Sequence, residues 1–284
     1  MQFKSSLVAL AVLIALSSET HGEEQAKFAD TVQLATDYNK AVDIQNYWQS
    51  EKLDGIRAIW DGSRLKTRNG KPISAPDWFT RSLPKQHLEG ELWAGRGNFH
   101  LVQKTVLDET PSPVAWQLIR YMLFDIPFSK KTYPERYLTM EKLVTRIDQP
   151  HVKLIKHTPI NSQQELLNNL DLVVAKQGEG IMLRNINHAY QGGRNSDLIK
   201  LKKHQDAEAI VVGYKLGKGK FSQVMGALLV QLPSGQQFYI GNGFSDEMRS
   251  NPPALGSKIT YRFNGYTQNG VPKFARFVRL SIAQ

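Results

Sequence analysis

The stretch "SEKLDGIRAIWDG", residues 50–62, places a lysine two positions before an aspartate in what is otherwise an extended segment. On a strand, Lys52, Asp54 and Ile56 share one face, and Gly55 permits a tight turn or the close approach of a phosphate. A lysine is a nucleophile only when its amine is uncharged. Proteins reach that state by desolvation or nearby cations, which move a lysine pKa from about 10.4 toward roughly 7–8.

Cations are therefore expected around Lys52. Arg57 and Arg68 follow it in the sequence, and "LIKLKK" supplies Lys200 and Lys202, which are spaced to point from the same face of a strand. Taken alone, such a lysine pair is also typical of an edge strand with its charges in solvent.

Acidic side chains complete the pattern. Glu89 and Glu91 in "LEGELW" lie on one face of a predicted strand, and Glu179 opens the predicted strand "EGIMLR". Carboxylates at strand positions are costly to bury unless they meet cations or a metal, and Mg²⁺ prefers one or two carboxylates plus phosphate oxygens. The pattern predicts a lysine, a nucleotide and a metal in one cleft, although "EGE" alone is equally typical of a solvated hairpin.

The composition favours a globular protein with a polyanionic partner. The chain has 284 residues, 41% hydrophobic and 22% charged, with a net charge of +10. Nucleic acid, acidic lipid and lipopolysaccharide all remain candidate partners, because net charge indicates attraction and not fold. The absence of cysteine excludes disulfides, a thiolate zinc site and a cysteine nucleophile.

Residues 1–22 have the pattern of a secretory signal. Lys4 precedes the apolar run "LVALAVLIAL", which is followed by the small and polar "SSETHG". Ten apolar residues are too few to span a bilayer, and no later stretch reaches that length. We therefore expect cleavage near Gly22, a mature chain without a membrane span, and a periplasmic location.

The pattern of predicted secondary structure divides the mature chain into residues 23–205 and residues 206–284. The first part alternates strand-like and helical segments. Its predicted elements are an extended segment at 151–160, a helix at 162–177 with Ser162 as N-cap and Glu165 three residues later, and strands at 179–185 and 196–203.

The second part is nearly all strand. Five strands are predicted near 208–215, 224–232, 236–241, 258–264 and 274–280, with a short helix at 245–250 between the third and fourth. This order is typical of an oligonucleotide-binding (OB) barrel. An SH3-like barrel or half of a β-sandwich is the alternative.

Six short motifs in this order resemble those of the covalent nucleotidyltransferases, and most closely the ATP-dependent DNA ligases of the minimal exported bacterial kind called type E. The motifs are Lys52-Leu53-Asp54-Gly55-Ile56-Arg57, Thr67-Arg68-Asn69-Gly70, Glu89-Gly90-Glu91, Phe124-Asp125, Glu179-Gly180-Ile181-Met182-Leu183-Arg184 and Leu198-Ile199-Lys200-Leu201-Lys202. The resemblance implies an α+β fold, in which an adenylation domain of antiparallel sheets with helices precedes an all-β OB-fold barrel.

The resemblance also implies a role for each matching residue. Lys52 would attack the α-phosphate of ATP and carry AMP, with Arg57 and Arg68 beside the ribose and phosphates. Phe124 would stack on adenine. Glu91 and Glu179 would hold Mg²⁺ or Mn²⁺, and Lys200 with Lys202 would stabilise charge on the α-phosphate.

The implied substrate is nicked double-stranded DNA, bound by a monomer. Candidate DNA contacts, besides Arg68, are basic residues of the second part: Lys215, Lys218, Lys220, Arg276 and Arg279.

One position departs from the pattern. Many relatives have an acid two places before the lysine that helps to recognise adenine, and this chain has Ser50 there. The choice of adenine over guanine is therefore less secure from this motif. An RNA ligase, a capping-type guanylyltransferase and a non-catalytic nucleic-acid-binding module are the alternative functions.

Overall fold

The computed structural model describes residues 31–267 and 269–281. The chain divides into two compact units, and the boundary along the sequence falls between Leu201 and Lys202. The predicted export signal, residues 1–22, lies outside the described residues. None of the helices in the described part of the chain has the length and apolar character needed to cross a membrane.

The first unit contains ten strands within its described residues. They are β1 (Gln33–Asp37), β2 (Tyr47–Lys52), β3 (Ile56–Trp60), β4 (Leu65–Thr67), β5 (Leu88–Trp93), β6 (Arg120–Asp125), β7 (Val152–Leu154), β8 (Thr158–Pro159), β9 (Gly180–Asn185) and β10 (Gly193–Leu201). Its helices are α1 (Asp77–Thr80), α2 (Phe99–Val106), α3 (Pro113–Trp116), α4 (Tyr133–Ile147) and α5 (Gln163–Ala175), with a 3₁₀ turn at Ile44–Asn46.

The strands form two five-stranded sheets. Sheet A has the order β1-β10-β9-β2-β8, and sheet B has the order β4-β3-β5-β6-β7. Most pairings are antiparallel, but β1 pairs with β10 and β6 with β7 in parallel. The extended segment predicted at 151–160 is in fact two short strands, β7 in sheet B and β8 in sheet A.

Alternation along the strands decides where each sheet buries its apolar side. Sheet B directs Ala58, Leu88 and Leu123 into a core that helices α1 to α4 cover, and sheet A directs Leu183 toward Leu166 of α5. Because each sheet uses one face for its core, the polar residues at the intervening positions meet between the two sheets.

The start of helix α5 confirms the predicted N-cap but not a complete capping box. The Ser162 side chain accepts a hydrogen bond from the Glu165 N–H at 3.1 Å, as an N-cap should. The Glu165 carboxylate, however, accepts from the Asn161 N–H at 3.1 Å and not from the N-cap residue. The capping box that the spacing suggests is therefore only half formed.

The second unit is a five-stranded sheet with the order β13-β12-β11-β14-β15. Its elements are β11 (Gln205–Leu216), β12 (Met225–Gln231), β13 (Gln237–Ile240), α6 (Asp246–Ser250), β14 (Lys258–Phe263) and β15 (Arg276–Leu280), with a 3₁₀ turn at Gly219–Phe221. All five predicted strands and the short helix are present, which agrees with the predicted OB fold. The largest boundary difference is in β11, which begins three residues before the predicted 208.

One buried histidine gives the first unit a dependence on pH. The His157 ring packs against Tyr133 and Tyr137, with ring centroids 5.2 and 5.5 Å away, and its Nδ1 lies 2.9 Å from the Ile155 carbonyl oxygen. Burial, reinforced by the positive charge of Arg184, lowers the pKa of His157 to about 3. The folded state therefore keeps this ring neutral at pH values where the unfolded chain protonates it.

Acid should destabilise the first unit through His157. The unfolded imidazole binds a proton below about pH 6.5 and the folded one only near pH 3, so stability is lost as pH falls through that window. Relative to His157→Asn, the native chain should lose about 2 kcal/mol of unfolding free energy between pH 7 and pH 5. Urea unfolding followed by tryptophan fluorescence measures this, because all five tryptophans lie within residues 48–116. Equal losses in the two proteins would contradict it.

Candidate active site

The chain passes from sheet A to sheet B directly after Lys52. Lys52 is the last residue of β2 and Ile56 is the first residue of β3. The prediction that Lys52, Asp54 and Ile56 share one strand face is therefore wrong. The crossing explains Gly55. A Cβ at this position would lie 2.3 Å from the Leu92 carbonyl oxygen of β5, so the approach of that strand requires glycine here.

Lys52 forms an ion pair at this crossing. Its Nζ lies 2.5 Å from Glu179 Oε2, and the lysine side chain is 24% exposed. The residue in direct contact with Lys52 is thus an acid, Glu179, and not one of the cations predicted from the sequence. Arg57 is bound to a different carboxylate. The Lys52 amine is therefore hydrogen-bonded to a carboxylate in this structure.

Glu91 completes a cluster with these residues. In the register of sheet B it lies between Arg57 on β3 and Met122 on β6, and it accepts a hydrogen bond from the Gly55 backbone N–H. Desolvation raises the pKa of Glu91 to about 7, the charges of Lys52 and Arg57 oppose that shift, and Glu179 adds to it. Lys52, Arg57, Glu91 and Glu179 are therefore within electrostatic reach of one another.

Arg57 is fixed by Glu89, for which the sequence motifs imply no role. Its Nε donates to Glu89 Oε1 at 2.6 Å, and its Nη2 contacts the same oxygen. Glu89 is completely buried. Burial raises the pKa of Glu89, and the Arg57 guanidinium opposes that shift.

A β-bulge places the aromatic residue of the site. Glu89 pairs with Asp125 while Gly90 pairs with Leu123, so β6 has an extra residue, Phe124, at this point. The bulge interrupts strict alternation on β6. It explains why Phe124 and Asp125, which are neighbours in sequence, can both contact residues of sheet A.

Arginines contact both of these residues. The guanidinium carbons of Arg57 and Arg184 each lie 5.5 Å from the centre of the Phe124 ring. Asp125 accepts from Arg184 Nη1 at 2.5 Å and from Arg136 Nε at 2.6 Å. The half-buried Phe124 ring is therefore held by cations beside a buried charge network.

Lys200 lies on β10, on the same sheet face as Ser50 and Met182. Lys200 of β10 and Ser50 of β2 are each paired with Met182 of β9, so the three side chains lie side by side across sheet A. Lys200 Nζ is 3.5 Å from Asp37 Oδ1. This row runs next to Lys52, two residues after Ser50 along β2.

Lys202 does not share that strand face, contrary to the prediction. Strand β10 ends at Leu201, and Lys202 belongs to the second unit, where its Nζ lies 5.1 Å from the Phe274 ring centre. The boundary between the two units falls directly before Lys202, whereas Lys200 lies inside β10.

Arg68 lies in the exposed turn after β4, which closes with a hydrogen bond from the Gly70 N–H to the Thr67 carbonyl at 2.9 Å. Within residues 31–267 and 269–281 its side chain makes no hydrogen bond or ion pair with another residue. Arg68 therefore forms no hydrogen bond or ion pair with Lys52, Arg57, Glu91 or Glu179 among the described residues.

The basic residues predicted to contact DNA are largely exposed on the second unit. Lys215, Lys218, Lys220 and Arg279 are exposed, and Arg276 is half-buried. Lys215 lies 5.3 Å from the ring centre of Tyr239, and Lys220 pairs with Asp246 at 3.2 Å.

The possible metal ligands form a small oxygen set. Among the described residues, no group of three or more histidine, cysteine, aspartate or glutamate side chains is arranged to hold a metal. Two carboxylates, Glu91 and Glu179, are close enough that Glu179 raises the pKa of Glu91. Two hard oxygen donors suit Mg²⁺ that completes its coordination with phosphate oxygens and water.

Sequence models of two families match the chain. The ATP dependent DNA ligase domain matches residues 29–202, and the DNA ligase OB-like domain matches residues 216–280.

Curated relatives include a DNA ligase of Haemophilus influenzae, 34% identical over 236 residues, which are 83% of this chain and 87% of that protein. The multifunctional non-homologous end joining protein LigD of Pseudomonas aeruginosa is 34% identical over 213 residues, but the match spans only 24% of its length.

Solved structures give the same picture. A structure from a study of Lig E DNA ligases, described as binding DNA with a minimal scaffold, has a TM-score of 0.84 and 42% identity, covering 88% of this chain and 98% of that chain. A Chlorella virus DNA ligase-adenylate has a TM-score of 0.52 and 24% identity, covering 89% and 98%, which supports the fold alone.

Gly55→Ala should destabilise the first unit and displace Lys52. The added methyl group would collide with the Leu92 carbonyl oxygen, and such overpacking costs about 1–3 kcal/mol. Gly97→Ala is the comparison, because its Cβ would meet no atom within 4 Å and only its positive φ of 76° opposes alanine. Urea unfolding by tryptophan fluorescence should show the larger loss for Gly55→Ala. The reverse order would refute the packing argument.

Proposed function

Because the chain belongs to the ATP-dependent DNA ligases, we propose that Lys52 is the residue that carries AMP. The enzyme joins DNA strands with ATP as the source of AMP. The observation that carries the assignment is the convergence of Lys52, Arg57, Glu91 and Glu179 at the crossing between the two sheets.

The reaction starts with attack by the uncharged Lys52 Nζ on the α-phosphorus of ATP. A P–N bond forms, the bond between the α and β phosphates breaks, pyrophosphate leaves, and the amine loses its proton to solvent. AMP then passes to the 5′-phosphate at a nick, where a pyrophosphate linkage replaces the P–N bond. The adjacent 3′-hydroxyl attacks that 5′-phosphate and releases AMP. Positioning and stabilisation of phosphoryl charge provide most of the catalysis.

Arg57 and Phe124 would bind the nucleotide. The guanidinium of Arg57 lies near Glu91 and beside the Phe124 ring, so one arginine can bind phosphate or ribose oxygens while its neighbour ring stacks on adenine. Lys200 would neutralise phosphoryl charge from the row that includes Ser50 and Met182. The roles of Arg68 and Lys202 rest on the sequence motifs.

Glu91 and Glu179 would hold the divalent cation, Mg²⁺ or Mn²⁺. When bound there, such an ion supplies positive charge to the phosphate oxygens. Glu179 is also the ion-pair partner of Lys52, so a cation bound there would compete with the Lys52 amine for this carboxylate.

Nicked double-stranded DNA would contact both units of a monomer. The net charge supports this, because residues 206–284 contain nine basic and four acidic side chains and the whole chain has a charge of +10. Lys215, Lys218 and Lys220 follow one another along one short segment, where they can neutralise successive phosphates.

Intact-mass measurement tests the assignment of Lys52. After incubation with Mg²⁺ and ATP, GTP or NAD, the protein should gain one AMP from ATP alone. Lys52→Ala and Lys52→Arg should gain none, because neither provides the nucleophilic amine.

Lys66→Ala is the matched control, since Lys66 is also half-exposed, at 29%, and also pairs with a carboxylate, Asp61 at 2.8 Å. It should load AMP normally. An adduct that persists in Lys52→Ala would rule out Lys52, and label from GTP would favour the guanylyltransferase alternative.

Export to the periplasm is a further part of the proposal, supported by the charged, apolar and small-residue pattern of residues 1–22. Expression of the full chain in a Gram-negative bacterium should give a periplasmic product whose mass shows cleavage near Gly22. Uncleaved protein in the cytoplasmic fraction would disprove it.

A further inference from the structure

A closed ring of hydrogen bonds lies behind the candidate nucleotide site. The Gln33 carbonyl accepts from Arg57 Nη1 at 2.7 Å, and Arg57 Nε donates to Glu89 Oε1 at 2.6 Å. Glu89 Oε2 accepts from the Tyr190 hydroxyl at 3.1 Å, and that hydroxyl oxygen accepts from the Gln33 N–H at 3.0 Å. Four residues that are distant in sequence thus restrain one another.

The side chain of Gln33 adds a second connection. Its Oε1 accepts from Arg184 Nη1 at 2.8 Å, and Arg184 is the other cation beside the Phe124 ring. Gln33 is only 2% exposed, so these bonds are shielded from water. A single residue of β1 therefore contacts both guanidiniums that lie 5.5 Å from Phe124.

We propose that Gln33 and Tyr190 are positioning residues for nucleotide binding, because they fix Arg57 and Arg184 against Phe124. This inference rests on the proposed function of Arg57 and Phe124. Neither positioning residue was indicated by the motifs. Gln33 precedes all of them in the chain, and Tyr190 lies in the connection between β9 and β10.

The side chains of Gln33 and Tyr190 act on different arginines, which makes their effects separable by mutation. Gln33→Leu removes one of two side-chain acceptors of Arg184 and leaves only Asp125, and Arg184 Nε already has no hydrogen-bond partner among the described residues. Tyr190→Phe removes one oxygen atom and with it the bond that restrains Glu89, the partner of Arg57. Long arginine side chains that lose a fixed partner gain alternative rotamers.

The matched control is Gln49→Leu. Gln49 is a similarly buried glutamine, 4% exposed, on β2 of the same sheet. It lies on the face opposite Ser50 and Lys52, and its Oε1 has no hydrogen-bond partner among the described residues. Its replacement tests the effect of losing a buried amide without loss of a bond to either arginine.

ATP binding is measured by titration calorimetry with Mg²⁺ in the Lys52→Ala background, so that no covalent step contributes. Gln33→Leu and Tyr190→Phe should each raise the dissociation constant of ATP about tenfold, and Gln49→Leu should not change it. Gln33→Glu, which keeps an acceptor for Arg184, should restore most of the affinity. The effects should be close to additive in the double variant, because the Gln33 side chain bonds to Arg184 and lies outside the ring that Tyr190 closes.

Affinity within twofold of the parent in both Gln33→Leu and Tyr190→Phe would overturn the inference, as would equal losses in Gln49→Leu. Should Gln33→Leu fail to fold, Tyr190→Phe decides, since it removes a single atom. The result is independent of the Lys52 assignment. An adduct retained by Lys52→Ala refutes that assignment, and the same titrations with α,β-methylene-ATP, which cannot transfer AMP, then report on Gln33 and Tyr190.

Discussion

The buried ion pair between Arg57 and Glu89 is the interaction on which the arrangement of the first unit depends. Two charges removed from water are tolerated only when their attraction and hydrogen bonds offset the desolvation cost. Glu89 meets this condition with Arg57 on one carboxylate oxygen and Tyr190 on the other. Since Arg57 also donates to Gln33 on β1, the pair joins sheet B to sheet A.

A second buried network lies beside the first. Asp125 accepts from Arg136 of α4 and Arg184 of β9, which connects a helix and both sheets through one carboxylate. Breaking either network by removal of one partner would leave an uncompensated charge in the interior. The two networks meet at Phe124, so the same bonds that join the sheets also orient the proposed adenine-stacking ring.

The reactive lysine lies where the chain leaves one sheet for the other. Strand β2 ends at Lys52 and β3 begins at Ile56, and Gly55 allows β5 to approach between them. This geometry brings Glu91 of β5 and Glu179, which directly precedes β9, toward one amine. The cluster is therefore built from both sheets, and nucleotide chemistry takes place at their junction.

The sequence by itself determined the five strands and the short helix of the second unit, helix α5 of the first unit, and the family, because periodicity, turn residues and short motifs are local properties. It also indicated the chemical character of Lys52, Arg57, Glu91 and Glu179. Only the tertiary structure decided that residues 50–62 form two strands in different sheets, that Glu179 and not a cation contacts Lys52, and that Lys202 lies beyond β10. Gln33 and Tyr190 could not be found from sequence, since a buried hydrogen-bond ring between residues up to 157 positions apart leaves no local pattern.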